Sequence, residues 1–101
     1  MRTPGVQRVF KEGRAVPGDR LVLLVAPGHG EVATVAGRKV GGAVQRNRAR
    51  RIVRSALREA VPEGLPDVDL VVVARPSIRG AMAWELAEEL RMLLERAGSP
   101  A

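Results

Sequence analysis

The sequence predicts a single α+β domain, a sandwich of helices packed on one small sheet in the order α-β-β-α-β-α, with room for one further short strand. Three observations carry this. At 101 residues the chain is long enough for one domain with its own core and too short for two. Two unbroken apolar runs, LVLLVA from Leu21 and LVVVA from Leu70, have strand length and fall far short of the roughly 20 residues a membrane span needs. Two further segments space their apolar residues as amphipathic helices do, and glycine or proline bounds each of them.

Taken in order, Thr3-Pro4 reads as an N-cap followed by proline in the first helical turn, and Gly13 as a stop, so residues 4–12 form a short helix. RAVPGD then turns the chain into a buried strand at Leu21–Ala26. PGHG is turn chemistry, and EVATVA (31–36) follows as a second strand, expected antiparallel to the first. GRKVGG links to an arginine-rich helix over 43–60, which ends before Pro62. After the loop PEGLP, residues 68–74 form a strand, and RPSIRGA is again a loop. The last helix, 83–96, aligns Leu86, Leu90, Leu93, Leu94 and Ala97 on one face, with Gly98 past its end. There is no repeat, low-complexity tract or internal boundary, so residues 1–101 read as one domain. Periodicity does not fix the strand order.

The charge distribution points to function. Residues 1–58 carry a net charge of +10 and residues 59–101 a net charge of −4; within 38–58 stand eight cations and no acid. A basic patch this concentrated is the footprint of a polyanion site. The absence of cysteine excludes disulfides and thiolate metal sites and fits a reducing, cytoplasmic compartment. Met1 leads into a polar start without the apolar stretch of a signal peptide.

At about 100° per residue, Ala49, Ile52, Val53, Ala56, Leu57 and Ala60 fall within one arc of roughly 140°, the core face of the arginine helix. Arg48, Arg50, Arg51, Arg54 and Arg58 take the opposite side together with Asn47, and Arg46 stands at the edge of the apolar stripe in the first turn. Like-charge neighbours at i,i+3 and i,i+4 cost a few tenths of a kcal/mol each, so the five such pairs cost about 1–2 kcal/mol in the free protein. An anion against this face reverses that cost. Arginine suits phosphate better than lysine does, because its planar fork can bind two oxygens at once.

The stretch GRKVGGAVQRNRARRIVRSALRE resembles the signature of the bacterial ribonuclease P protein subunit: Arg46-Asn47-Arg48, then the pair Arg50-Arg51, then Arg54. The likeness extends to VQRVFKEGRAV near the N-terminus and VDLVVVARP after the arginine helix, so it covers most of the chain. The resemblance implies a subunit of a ribonucleoprotein endonuclease that removes the 5′ leader from precursor tRNA. The RNA subunit is then catalytic, with divalent metal ions such as Mg2+, and the protein alone is inactive. The resemblance puts Arg46, Asn47, Arg48, Arg50, Arg51, Arg54 and Arg58 against the RNA subunit. It also implies a leader cleft between the first helix and the sheet, for which Val6, Arg8, Phe10, Lys11, Arg14, Arg38 and Lys39 are the candidates. It further implies a left-handed strand-helix-strand crossover, against the general right-handed rule. No membrane and no obligate protein partner are expected.

The chain departs from the family where Val6 and Leu24 replace usual aromatics and Gly37 a usual serine, and the usual basic N-terminal extension is nearly absent. Phe10 and Trp84 are its two aromatics. Phe10 reads either as a stacking platform in the cleft or as a core residue. Other readings stay open beside the resemblance. One is a general basic RNA- or DNA-binding module. Another is a metal-dependent nuclease built on Asp67 and Asp69, with Glu63 nearby, since alternation along a strand would put both aspartates on one face. The same carboxylates also read as solvated or as satisfying a turn, and His29 as a surface turn residue.

Overall fold

The computed structural model describes residues 1–98; residues 99–101 of the predicted domain lie outside the described residues. The order is α1 (Thr3–Glu12), β1 (Arg14–Pro17), β2 (Leu21–Pro27), β3 (Val32–Ala36), α2 (Ala43–Ala60), β4 (Val68–Ala74) and α3 (Ala83–Arg96), with 3-10 turns at Arg38–Val40 and Pro76–Ile78. The extra short strand for which the sequence left room is β1. Thr3 proves to be the first helical residue of α1, since Arg2 holds the extended cap position and no side chain caps the helix.

The four strands form one sheet in the order β1-β2-β4-β3. β2 pairs antiparallel with β1 and β4, whereas β3 and β4 run parallel, joined by the β3-α2-β4 crossover. β3 therefore runs opposite to β2, as the sequence predicts, but the two are not neighbours: β4 lies between them. Two physical reasons account for the insertion. β4 is buried at five of its seven positions, on both of its faces, which is the burial of a central strand, whereas β3 is buried only at Ala36. The turn after β2 also spends its backbone groups on β4 and the residues leading into it. Gly28 N–H donates to the Asp67 carbonyl (3.0 Å), Gly30 N–H to that of Val68 (2.9 Å), and Leu70 N–H to that of Glu31 (2.9 Å).

The two faces of the sheet have separate cores. On one, α2 and α3 cover Leu21, Leu23, Leu70 and Val72, with Val53, Ala56, Leu86 and Leu90 among the packed helical residues. Glu89 on α3 accepts from the Arg20 and Leu21 amides (2.9 and 3.0 Å), and Arg20 pairs with Glu85, tying that helix to the start of β2. On the other face α1 stands alone. Its Val9 is fully buried against Leu24, Ala26 and Val71, with Val6, Val35 and Val73 partly buried around them. A single helix cannot cover a four-stranded sheet, so part of this face stays open. Among the described residues no helix is long and apolar enough to cross a membrane.

Candidate nucleic-acid interface

Strand alternation sets the floor of the open face. With Leu24 and Val71 beneath α1, the neighbouring same-face positions are Val22 and Val73, paired across β2 and β4, and Val35 beside Val73 on β3. All three are half-buried. They lie toward the end of the sheet where β3 leaves into the turn carrying Arg38 and Lys39, both exposed. The result is an apolar floor with cations at one end.

At the opposite end of the same face stands Asp69, buried to 3% exposure. Its Oδ1 accepts from the His29 and Glu31 amides (3.0 and 2.9 Å), and its Oδ2 pairs with Arg8 Nη2 from α1 (2.5 Å). Arg8 Nη1 donates in addition to the Pro27 carbonyl (3.1 Å). The two amides, and after them the Arg8 guanidinium, hold the Asp69 carboxyl below its ordinary pKa, against burial, which pushes it up. Gly28 is required by this arrangement, because a Cβ there would run into the Asp69 carboxyl group.

Arg8 is thus an anchor for α1 as well as a cation of the open face. Phe10 lies about 160° round the helix from Arg8 and is turned away from the Asp69 end. It is 50% exposed and belongs to neither core, so it does not pack as a core residue. Val6 is half-buried between α1 and the sheet, and Lys11 is exposed. Arg14 does not come to this face. Alternation along β1 puts it with Val16 on the α3 side, where Nη1 donates to the Ala97 carbonyl (3.0 Å).

The arginine helix α2 packs its predicted stripe inward: Ala49, Val53, Ala56 and Leu57 are buried and Ile52 and Ala60 partly so. Of its outward residues, Arg51, Arg54 and Arg58 are exposed, and among the described residues none of them forms an ion pair. Arg58 reaches only the Ser55 hydroxyl, at 3.5 Å. Arg50 is half-buried and donates to Asn47 Oδ1. Arg48 bends over the helix start to donate to the Ala81 carbonyl (3.1 Å), pinning α2 to the loop before α3. Arg46, half-buried in the first turn, has a buried Nε that finds no hydrogen-bond partner among the described residues.

Reading the sequence missed Arg75 and Arg79. The turn Pro76–Ile78 folds the loop after β4 back so that Arg79 shares a shallow pocket with Gln45 and Arg48, extending the arginine row across a second element. Arg75 is exposed at the same end of the sheet, with Nη1 on the Gly18 carbonyl (3.0 Å). Only tertiary packing brings Arg79 to α2, and the sequence carries no signal of it.

The carboxylates do not assemble as a metal centre. Asp67 precedes β4 and is exposed, so it is not an alternating partner of Asp69 on the strand, and Asp69 is fully engaged by the turn and Arg8. Among the described residues no three His, Asp or Glu side chains stand close enough to hold an ion. His29 is an exposed turn residue, and Trp84 is exposed on α3, which packs on the opposite side of the sheet from α1.

Comparison with known proteins accounts for the arrangement. A family model described as Ribonuclease P matches residues 3–98. The chain is 40% identical over 95 residues to the ribonuclease P protein component of Chloroflexus aurantiacus strain J-10-fl, covering 90% of this chain and 70% of that protein. It is 37% identical over 103 residues to that of Roseiflexus castenholzii, covering 97% and 84%. Its fold is similar to that of the Thermotoga maritima ribonuclease P protein, solved with 1-(4-fluorophenyl)-2-thiourea, at a TM-score of 0.80 and 27% identity over 95% of this chain and 97% of that one. With its arginine helix, its open apolar sheet face and this likeness over nearly its full length, the chain belongs to the ribonuclease P protein family.

Proposed function

We propose that this protein serves a ribonuclease P RNA in removing the 5′ leader from precursor tRNA, holding the RNA subunit with α2 and the leader on the open face beside α1. The observation that carries the reading is the row Arg51, Arg54 and Arg58, exposed on one helix and without acidic partners among the described residues. Phosphates against this row relieve its self-repulsion. Arg46, half-buried in the first turn of the same helix, would join this contact through its outer guanidinium nitrogens, since its Nε is enclosed by protein. Arg48 orients the start of the helix, Arg50 and Asn47 act as one hydrogen-bonded unit, and Arg79 widens the contact.

For the leader, the floor of Val22, Val35 and Val73 with Val6 at its side accepts base faces, Phe10 supplies one stacking platform, and Arg38 and Lys39 meet the backbone phosphates. Stacking contributes about 1–3 kcal/mol per base, so a cleft with one aromatic depends more on its cations. Arg8 serves the cleft by holding α1, and Lys11 stands exposed on that helix. The chemistry belongs to the RNA subunit, where divalent ions such as Mg2+ support phosphodiester hydrolysis. Among the described residues no side-chain constellation is set to activate water, and on this reading the protein alone is inactive. It works in the cytoplasm, with the RNA subunit and precursor tRNA as its partners.

The test is reconstitution. Adding the protein to a bacterial ribonuclease P RNA and a precursor tRNA at low magnesium should raise the cleavage rate and lower the magnesium requirement. Absence of any stimulation would contradict the reading.

A further inference from the structure

Where α2 ends, an open recess of about 390 Å3 lies away from the α1 face. Leu57 and Val61 wall it from the helix end, Leu65 from the following loop, and Val32 and Leu70 from β3 and β4. Its size is within the roughly 300–1,000 Å3 of pockets that take small organic molecules. Val32, at the start of β3, is 41% exposed and leaves apolar surface open at the rim of the recess. Arg54 and Arg58, one turn apart on α2, also line the cavity, and both are exposed.

An apolar recess edged by two guanidinium groups suits one kind of occupant, a flat apolar ring carrying a phosphate. We propose that this cavity is a nucleotide pocket that takes a single unstacked base of the RNA subunit, with Arg54 and Arg58 on the phosphates flanking it. The proposal deepens the reading that α2 faces RNA, and rests on it. Charge decides against an apolar peptide as occupant: a peptide would leave both guanidinium groups unpaired, whereas a nucleotide supplies ring and anion together. Glu63, the one acid in the lining, can only accept hydrogen bonds, and a base edge offers N–H groups where a phosphate offers none. The pocket thereby gives α2 two kinds of contact. Arg51, outside the pocket, meets the backbone at any sequence, whereas the recess demands a nucleotide free to leave its stack.

The test blocks the pocket without touching the arginines. Val32→Phe fills the recess from an exposed strand position, and Arg51→Ala removes a cation that does not line it. Affinity for ribonuclease P RNA is measured for both variants, with thermal melts to verify folding. Val32→Phe should weaken RNA binding about tenfold while its melting temperature stays near that of the wild type. Methyl signals of Val32, Val61 and Leu65 in the free protein should shift with cytidine monophosphate and stay still with inorganic phosphate. This second measurement decides the matter even if the variant folds poorly. If Val32→Phe binds RNA as the wild type does while Arg51→Ala weakens binding, α2 faces RNA but the pocket holds no base. Methyl signals that ignore the nucleotide overturn the pocket in the same way, leaving the recess for a protein segment. If neither variant affects RNA binding, the reading of α2 itself fails, and the pocket with it.

Discussion

Arg8 on α1 and Asp69 on β4, 61 residues apart in sequence, form the ion pair that fixes the one helix on its face of the sheet. Asp69 also holds the β2–β3 turn through two amides, so a single buried carboxylate sets both the position of α1 and the path of the turn. The width of the open face beside Phe10 depends on both.

This carboxylate makes stability depend on pH in a defined direction. Its pKa is depressed in the folded protein, so its contribution is complete above the unfolded value of about 3.9 and is lost as pH falls from there through the folded value. Asp69→Ala should cost about 2–3 kcal/mol near neutral pH, because it strips hydrogen bonds to a charged acceptor. Urea melts of wild type and variant from pH 7 down to about 2 check this: the gap between them should narrow progressively once the pH falls below about 3.9. A gap independent of pH would show that the ionised carboxylate is not the stabilising species.

The arginines of α2 should divide into two groups. Arg48→Ala removes the bond to the Ala81 carbonyl and should lower stability by about 1 kcal/mol. Arg54→Ala breaks no side-chain hydrogen bond or ion pair among the described residues and relieves like-charge neighbours, so stability should hold or rise by a few tenths of a kcal/mol. Thermal melts of the two variants side by side test the distinction.

Phe10→Ala separates stacking from packing. Phe10 is exposed, so truncation should leave the melting temperature nearly unchanged, in contrast to the roughly 3–5 kcal/mol lost when a core phenylalanine is removed. Holoenzyme affinity for leader-bearing precursor tRNA should fall by about 1–3 kcal/mol, with mature tRNA unaffected. Paired binding assays with the two RNAs check it.

Local signals in the sequence carried most of the elements and few of their relationships. α2, β4 and α3 form over the predicted spans, because apolar spacing and glycine or proline punctuation are local properties. The insertion of β4 between β2 and β3 turns on which strand is buried on both faces. The apolar run of β4 hints at that, but a turn as hairpin-like as PGHG points the other way. The arginine row was legible because its residues share one helix. Arg79 was not, since it joins the row only after the loop following β4 folds back, and neither was the anchoring of Arg8 by Asp69. The charge of Arg14 makes it a candidate for the cleft that the resemblance implies, but strand alternation turns it to the other face.

The central claim is that α2 binds RNA through its exposed arginines, and the salt dependence of ribonuclease P RNA binding tests it most directly. Each phosphate contact contributes about 0.7–0.9 to the slope of log affinity against log salt, so replacing Arg51, Arg54 and Arg58 together with alanine should flatten the slope by roughly 2. Affinity should fall while the variant melts at or above the wild-type temperature. An unchanged slope and affinity in a well-folded triple variant would contradict the account.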